Sequence, residues 1–417
     1  MARRFSRRDF LTRSAVGLAG LGLAACGDNL RGSPASGLRI GIIGLGSQGA
    51  GTHLAQLLAR TDVRIVGVAD VDTAKVDAAV AMGTDLAGYQ DYRELLSRSD
   101  LDAVVVATPD HWHAKASIDA ANSGRHVYCE KPVSLTIAEG RRMVEAVRAN
   151  GIAFQTGSQQ RSNAQFPLAC EIVRNGRIGQ LTSIEVGVWP GPFELPVPTS
   201  PAPITLDWEM WLGQAPEVPY HPWRAARTFR YFRDYAGGAL ADFGAHELDI
   251  AQWGAGYDHL GPAKVRGTAV FPAGNGFEMP TTWDVTYTYA NGVTVHLTTT
   301  DDLWFATFIG SDGWVKVTGA GIEASRPDIL EFNLGAGAIK LAGDGGHYDN
   351  WFSAIANGTL PIADVEIGHR TASMCHLANI AITLGRELTW DPEAEQFVGD
   401  AEANTFVSRV QRVPWML

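Results

Sequence analysis

Cysteine is scarce in this chain of 417 residues, which contains only four. They are Cys26, Cys129, Cys170 and Cys375. No two of them have the C-x-x-C spacing of a structural zinc site, and three remain beyond Cys26, an odd number. The sequence therefore predicts no disulfide framework and no zinc. The histidines offer no obvious third ligand either, so we expect no catalytic metal.

A surplus of positive charge is also missing. Lysine and arginine total 34 against 45 aspartates and glutamates, a formal net charge of −11. Such a chain has no basic surface to neutralise phosphates, which excludes nucleic acid as an expected partner. With 46% hydrophobic and 19% charged residues, the composition predicts a globular protein, and the length predicts two domains.

The first 37 residues have the features of an export signal and a linker. Ser6-Arg7-Arg8-Asp9-Phe10-Leu11 matches the twin-arginine pattern, and an uncharged run at residues 14–25 follows it. Leu23-Ala24-Ala25-Cys26 is similar to a lipobox, which predicts either a lipid anchor at Cys26 or an ordinary cleavage site near it. We expect export by the twin-arginine machinery, to the periplasm or to a membrane-anchored lipoprotein. Because no dinucleotide pool would replace a lost cofactor there, the cofactor should be tightly bound.

A glycine-rich turn follows the apolar, β-branched run at residues 38–43. In the motif G-x-G-x-x-G the first glycine permits the tight bend, the second lets the backbone approach a pyrophosphate, and the third packs helix on strand. The N-terminus of the next helix then meets the negative charge. The pattern predicts a dinucleotide site that includes Gly44, Gly46, Ser47, Gln48 and Gly49.

A second apolar run, at residues 63–69, ends at Asp70. A carboxylate at this place can accept hydrogen bonds from the adenosine ribose hydroxyls and would repel a 2′-phosphate. Asp70 therefore favours NAD over NADP. Two alternatives are that Asp70 is a solvated residue at the strand end or a cap of the next turn, or that Asp72 binds the ribose.

Strands and helices alternate up to about residue 160. The apolar runs at 101–107, 126–129 and 152–156 predict strands, with helices at 114–123 and 138–149 between them. This order predicts a doubly wound parallel sheet, a Rossmann domain at residues 38–160. Beyond it, alternating runs with an Asn291-Gly292 turn predict an α+β domain at 161–417 with a mostly antiparallel open sheet.

Short motifs carry a resemblance to a known family. They are the glycine turn, Thr108-Pro109 with His113 shortly after, and Glu130-Lys131-Pro132. From about residue 38 to its end, the chain resembles the glucose–fructose oxidoreductase, inositol dehydrogenase and rhizopine catabolism family, Gfo/Idh/MocA. The segments 155–162, 206–213 and 385–391 are similar to an exported bacterial subgroup of it.

The resemblance implies an NAD(P)-dependent oxidoreductase and a role for each motif. It implies that Lys131 reaches the substrate and the nicotinamide, that His246 is the acid–base residue, and that Asp242 orients His246 or contacts a substrate hydroxyl. From the residues alone, the i, i+4 spacing of Asp242 and His246 places both on one face of a helix. The remaining expected cofactor contacts are Thr108, Pro109, His113 and Glu130, together with Lys131 itself.

The substrate contacts are less specific. Gln160 and Arg161 lie where relatives line the nicotinamide pocket, although this chain has Gln-Gln-Arg in place of an Asn-x-Arg pattern. Aromatic residues of the insert between residues 189 and 235, Trp223 among them, can stack on a sugar ring or simply anchor the insert. The insert's arginines can meet carboxylate or hydroxyl groups. The open sheet pairs subunits in the family, which implies a homo-oligomer.

Three functions are compatible with these patterns. The first is hydride transfer between a bound nicotinamide cofactor and a hydroxyl of a sugar, glycoside or polyol. The second is redox-neutral cleavage of a glycoside, in which oxidation, elimination and re-reduction use the same bound NAD. The third is a non-catalytic sugar-binding module that keeps the fold.

Overall fold

A computed structural model describes residues 37–191, 199–273, 276–331, 335, 337–341 and 345–417. The predicted twin-arginine signal and the lipobox with Cys26 lie outside these residues. Part of the insert after residue 191 does so as well.

Six parallel strands form the first sheet, in the order β3-β2-β1-β4-β5-β6. They are β1 (Leu38–Ile43), β2 (Val63–Ala69), β3 (Ala87–Tyr89), β4 (Ala103–Val106), β5 (His126–Cys129) and β6 (Phe154–Thr156). This order is that of a doubly wound nucleotide-binding sheet, so the predicted Rossmann fold is confirmed. Strand β3 was not predicted, because Ala-Gly-Tyr contains one residue that favours strands.

Helices cover both faces of this sheet. A turn of π-helix at Gly49–Leu54 continues as α1 (Ala55–Leu58), followed by α2 (Thr73–Val80), α3 (Tyr92–Leu96), α4 (Asp110–Asn122) and α5 (Ile137–Asn150). Helix α4 begins at Asp110, four residues before the predicted start at residue 114, because Pro109 precedes its first turn as the N-cap. The first turn of α4 therefore lies directly at the carboxyl end of β4.

The second sheet has nine strands in the order β13-β12-β11-β7-β10-β9-β8-β14-β15. They are β7 (Leu181–Val188), β8 (Lys264–Val270), β9 (Thr282–Thr288), β10 (Thr294–Thr299), β11 (Phe305–Gly310), β12 (Gly313–Thr318), β13 (Gly321–Ala324), β14 (Leu388–Asp391) and β15 (Gln396–Phe397). The β7–β10 pair is parallel and the other pairs are antiparallel. A mostly antiparallel second sheet is thus confirmed.

Eight further helices follow β6 in the described part of the chain. They are α6 (Gln165–Arg174), α7 (Trp208–Leu212), α8 (Pro222–Ala225), α9 (Gly238–Ala255), α10 (Pro327–Leu330), α11 (His347–Asn357), α12 (Val365–Leu384) and α13 (Ala401–Asn404), with single 3-10 turns at Gln159–Ser162 and Arg227–Tyr231. Helices α9 and α12 share a large apolar core with the inner face of this sheet. Among the described residues, no helix is long and apolar enough to cross a bilayer.

Helix α11 returns to the first sheet although it follows the second sheet in the chain. Its Trp351 is fully buried and packs in one cluster with Ile40, Val68 and Tyr128 of strands β1, β2 and β5. Helix α12 follows it and contacts α5. The two halves of the chain are therefore joined by apolar packing as well as by the polypeptide.

Candidate active site

A cleft of about 750 Å³ opens at the carboxyl edge of the first sheet. Residues that follow β1, β2, β4 and β5 line one side of it, and residues of α9 and the insert line the other. Ligands of open α/β sheets bind at this edge, where the strand order reverses. The predicted residues found along the cleft are Gly44, Gly46, Ser47, Gln48, Asp70, Thr108, Pro109, His113, Glu130, Lys131, Asp242 and His246.

The glycine turn has the geometry that a dinucleotide requires. Gly44 has a φ of +89°, a conformation that a side chain would strain. A Cβ on Gly49 would lie 1.7 Å from the carbonyl oxygen of Gly44, so this glycine packs beneath the turn and not in the cleft. A Cβ on Gly46 would meet no atom within 4 Å, and this open side leaves room for a pyrophosphate. The residues present therefore fit the cofactor.

We expect Gly49→Ala to abolish stoichiometric dinucleotide binding. The added methyl group would overlap the Gly44 carbonyl oxygen, so the turn must open. Its backbone N–H groups then no longer point at the place of the pyrophosphate. The dinucleotide content of the purified variant, measured by absorbance, checks this. Gly319→Ala is the control, because its added Cβ meets no atom within 4 Å. Full dinucleotide content in Gly49→Ala would contradict the assignment.

The two candidate ribose carboxylates have different roles. Both oxygens of Asp70 accept backbone hydrogen bonds, from the N–H of Leu45 at 2.7 Å and of Asp72 at 2.9 Å, and these hold the carboxylate at the cleft. Asp72 instead caps helix α2 by accepting a hydrogen bond from the N–H of Ala74. The position of Asp70 fits the predicted contact with the adenosine ribose, and Asp72 is the helix cap.

Glu130 lies buried where the first sheet meets the cleft. It pairs with His53 through Nε2 at 2.9 Å and accepts a hydrogen bond from the amide of Gln159 at 3.1 Å. Burial alone would raise the pKa of Glu130, but the hydrogen bond and charge of His53 outweigh it and lower that pKa to about 2. The carboxylate therefore stays ionised. Gln159 was not among the predicted site residues, although it adjoins Gln160.

Lys131 joins the two halves of the site. Its ammonium donates to the carbonyl oxygen and to Oδ1 of Asp242, each at 2.8 Å, and its bond to Pro132 is cis. Oδ2 of Asp242 accepts a hydrogen bond from Nε of Arg230 at 2.8 Å. Burial would raise the pKa of Asp242, but Lys131 and Arg230 more than offset it and hold that pKa below its usual value. Both carboxylate oxygens are thus engaged by cations.

His246 lies one turn after Asp242 on α9 and also lines the cleft. Its ring stacks on Trp304 with centroids 5.8 Å apart, and in the described part of the chain its buried Nδ1 has no hydrogen-bond partner. Burial, together with the charge of Lys131, lowers the pKa of His246 to about 3. The imidazole is therefore neutral at physiological pH. Asp242 is bound to Lys131 and Arg230 and has no hydrogen bond to His246 here.

Arg161 and Gln160 lie outside the cleft, contrary to their expected substrate contacts. The Arg161 guanidinium is 1% exposed, forms a two-point ion pair with Asp249 and reaches Asp258 at 2.7 Å. Gln160 donates its amide to Glu247 at 2.6 Å. The Arg161 guanidinium and the amide nitrogen of Gln160 are therefore bound by carboxylates outside the cleft.

Trp223 also lies away from the cleft. It stacks on Phe277, with centroids 4.7 Å apart, within an apolar cluster of the insert. Of the two interpretations of the aromatic insert, anchoring applies to Trp223. The insert still contributes to the cleft through Trp211, Phe229 and Arg230.

Fold and site together define a nicotinamide-dependent oxidoreductase. Two family models match the chain: the oxidoreductase family NAD-binding Rossmann fold over residues 38–158, and the oxidoreductase family C-terminal alpha/beta domain over residues 177–417. The chain belongs to the Gfo/Idh/MocA oxidoreductase family. The resemblance to this family and the NAD cofactor are thereby confirmed, and the similarity to an exported subgroup stays a prediction.

Known proteins of several kinds are similar to this chain. The uncharacterized oxidoreductase YrbE of Bacillus subtilis is 27% identical over 72% of this chain and 78% of its own length. Myo-inositol 2-dehydrogenase of Thermotoga maritima is 29% identical over 52% of this chain, which spans 54% of that protein. Glycosyl hydrolase family 109 protein 1 of Shewanella sp. (strain ANA-3) is 31% identical over 34% of this chain and 33% of that protein.

The fold is also that of a solved dehydrogenase. The WlbA dehydrogenase from Bordetella pertussis, in complex with NADH and UDP-GlcNAcA, matches with a TM-score of 0.66 and 21% identity. The match covers 85% of this chain and 99% of that one. At this identity the likeness concerns the fold.

Proposed function

We propose that this protein transfers hydride between a tightly bound NAD and a hydroxyl group of a sugar, glycoside or polyol. One observation carries the proposal: Lys131 from the first domain and Asp242 of α9 meet in the NAD cleft, with His246 one turn further on. The myo-inositol 2-dehydrogenase among the relatives supports a polyhydroxylated substrate. When bound, NAD accepts the hydride from the carbon that carries the hydroxyl.

The chain's own side chains hold the hydroxyl group. An ammonium has three N–H donors, and Lys131 directs hydrogen bonds to two oxygens of Asp242, so one donor is left for the substrate oxygen. The neutral imidazole of His246 offers a second hydrogen bond from the same wall of the cleft. Trp304, Trp211 and Phe229 line the cleft and suit the apolar face of a sugar ring.

Tight retention of the cofactor follows from the proposed export. A protein that leaves the cytoplasm folded, through the twin-arginine pathway, has no dinucleotide pool on the far side. We propose a periplasmic or lipid-anchored location on this ground, with Cys26 as the acylated residue if an anchor is present. Mass spectrometry of the exported protein would find an acylated N-terminal cysteine in that case.

A homo-oligomer is also part of the proposal. One face of the nine-stranded sheet carries the apolar core, and its other face presents many threonines that are partly exposed among the described residues. The mass of the protein in solution, measured by light scattering, tests whether a second copy covers that face.

Redox-neutral cleavage of a glycoside is the second candidate. The similarity to a glycosyl hydrolase family 109 protein, which extends over about a third of each chain, favours it. A bound NAD that is reduced and reoxidised in each cycle would also suit a protein without access to a dinucleotide pool.

A cofactor spectrum of the purified protein separates these functions. We expect about one dinucleotide per chain, and an increase in the absorbance of reduced cofactor when a panel of myo-inositol, D-glucose and aryl glycosides is added. Release of the aryl group without net reduction would favour glycoside cleavage. Binding of a sugar with neither signal would contradict both activities and favour the sugar-binding module.

A further inference from the structure

Three aromatic side chains continue the cleft outward from His246. We call them the aromatic wall; they are Trp304, Phe243 and Trp189, of which the first two line the cleft. The ring of Trp304 packs against His246, with centroids 5.8 Å apart, and against Phe243 at 4.8 Å. Trp189 lies 5.0 Å from Trp304 and 5.8 Å from Phe243, again between ring centroids. The aromatic wall therefore runs from His246 to a residue beyond the lining of the cleft.

Trp189 is a large apolar side chain that is exposed and yet held in place. It directly follows β7, and it is 44% exposed. Its indole N–H donates to the carbonyl oxygen of Asp302 at 2.8 Å, which restrains the orientation of the ring. Leu303, the residue before Trp304, is 53% exposed. Large apolar side chains exposed together beside a cleft are typical of a ligand-binding surface.

Two further features indicate that this ligand carries hydroxyl groups. The buried indole N–H of Trp304 has no acceptor within the described part of the chain, although buried donors are normally bound. Asp301 and Asp302 are exposed in the same short loop as Trp304. A hydroxyl group can accept a hydrogen bond from an indole and donate one to a carboxylate. A sugar ring combines such hydroxyl groups with an apolar face that packs on aromatic side chains.

We propose that the aromatic wall binds a second sugar ring, so that the substrate is a disaccharide or a longer glycoside and not a free monosaccharide or inositol. The inference rests on the proposed function and narrows its substrate class. The ring that is oxidised lies at Lys131 and His246, and the ring attached to it packs on the aromatic wall. Trp189 is then a specificity-determining residue, because it contacts the part of the substrate that does not react.

Binding without turnover is the first test. The bound cofactor is first reduced to NADH, which cannot accept a hydride, and calorimetric titration then compares the methyl glycosides of glucose, cellobiose, maltose and lactose. In wild type, at least one disaccharide should bind about 10-fold more tightly than the glucoside. In Trp189→Ala this ratio should fall to about one, and Trp189→Phe, which keeps a flat ring, should retain most of it. Equal affinity for all four compounds in wild type would overturn the proposal.

Steady-state oxidation separates binding from chemistry. With the preferred disaccharide, Trp189→Ala should raise KM by about 10-fold, because binding by the ring that does not react is lost, and kcat should change far less. A lower kcat with the KM of wild type would overturn the proposal, since it would place Trp189 at the reacting centre. Tighter binding of phenyl glucoside than of every disaccharide would also overturn it, in favour of an aromatic aglycone.

Phe406→Ala is the control for loss of an exposed aromatic ring. Phe406 is 36% exposed and lies outside the lining of the cleft, so its removal should keep the affinity ratio of wild type. An equal loss of the ratio in Phe406→Ala and Trp189→Ala would overturn the proposal. If a disaccharide binds with the expected preference but reduces no cofactor, the oxidoreductase function fails and the second-ring site stands. If the glucoside reduces the cofactor and no disaccharide binds more tightly, the function stands and the second-ring site is wrong.

Discussion

Lys131→Met is expected to lower turnover by about 10²–10³-fold while the bound dinucleotide is retained. Methionine keeps the apolar stem of the side chain and removes the ammonium, which is bound to Asp242 and faces the cleft. Under the proposed function, that ammonium stabilises the negative charge that develops on the substrate oxygen as its proton leaves. The glycine turn and Asp70, which are expected to hold the dinucleotide, form no hydrogen bond with this ammonium among the described residues. The rate of cofactor reduction in a single turnover measures the loss.

Lys115→Met is the matched control for this prediction. Lys115 also forms an ion pair, with Asp119 one turn along α4 at 2.8 Å, but it does not line the cleft. Its loss should leave turnover and dinucleotide content as in wild type. Equal turnover in the two variants would contradict a catalytic role for Lys131, and loss of the dinucleotide from Lys131→Met would mean that the residue mainly holds the cofactor.

Periodicity predicts most of this fold because most strands are long apolar or alternating runs. Strands β7 and β8 and helix α12 coincide with the runs at residues 181–188, 264–270 and 365–384, which predict two strands and a helix. Strand β3 could not be predicted, since its three residues lack a β-branched side chain. It forms by pairing with the edge of β2. Helix α11 looks like part of the second domain in the chain, and only tertiary packing shows that its Trp351 enters the core of the first sheet.

The two sides of the site differ in how far the sequence predicts them. Gly44, Asp70 and Glu130 stand directly after predicted strands, and the carboxyl ends of parallel strands meet at one edge of a sheet. Their place in the cleft therefore follows from chain order. Side chains beyond residue 160 lack such a rule. Arg161 forms an ion pair with Asp249, 88 positions further along the chain. No local sequence pattern shows that this carboxylate binds the guanidinium and keeps it from contacting a substrate.

Asp110 could have been found from its position, because it follows Pro109 at the end of β4 as Lys131 follows the end of β5. What no sequence pattern shows is that this side chain is buried at the cleft. Arg230 carries even less signal, since it lies in an insert with several other arginines. Its contact with Asp242 depends on the short 3-10 turn that contains it.

Arg161→Met is expected to lower the free energy of unfolding by about 3–5 kcal/mol, much of the stability of an ordinary domain. The guanidinium binds both oxygens of Asp249 and one of Asp258, and it lies 4.8 Å from the ring centroid of Trp253. Without it, Asp249 remains buried and its negative charge has lost its cation. Urea unfolding, followed by circular dichroism, measures the change.

Arg386→Met controls for the loss of an arginine with two carboxylate partners. Arg386 binds Asp400 and Glu402 at the surface, where water replaces the lost contacts, so the urea midpoint should not move. The double variant Arg161→Met with Asp249→Leu should recover much of the lost stability, because apolar side chains of similar size can replace a buried ion pair. If Arg161→Met unfolds at the same urea concentration as Arg386→Met, the buried ion pair does not hold α9 to the end of β6. The position of His246 in the cleft must then depend on the other contacts of α9, such as those of Asp242 and Glu247.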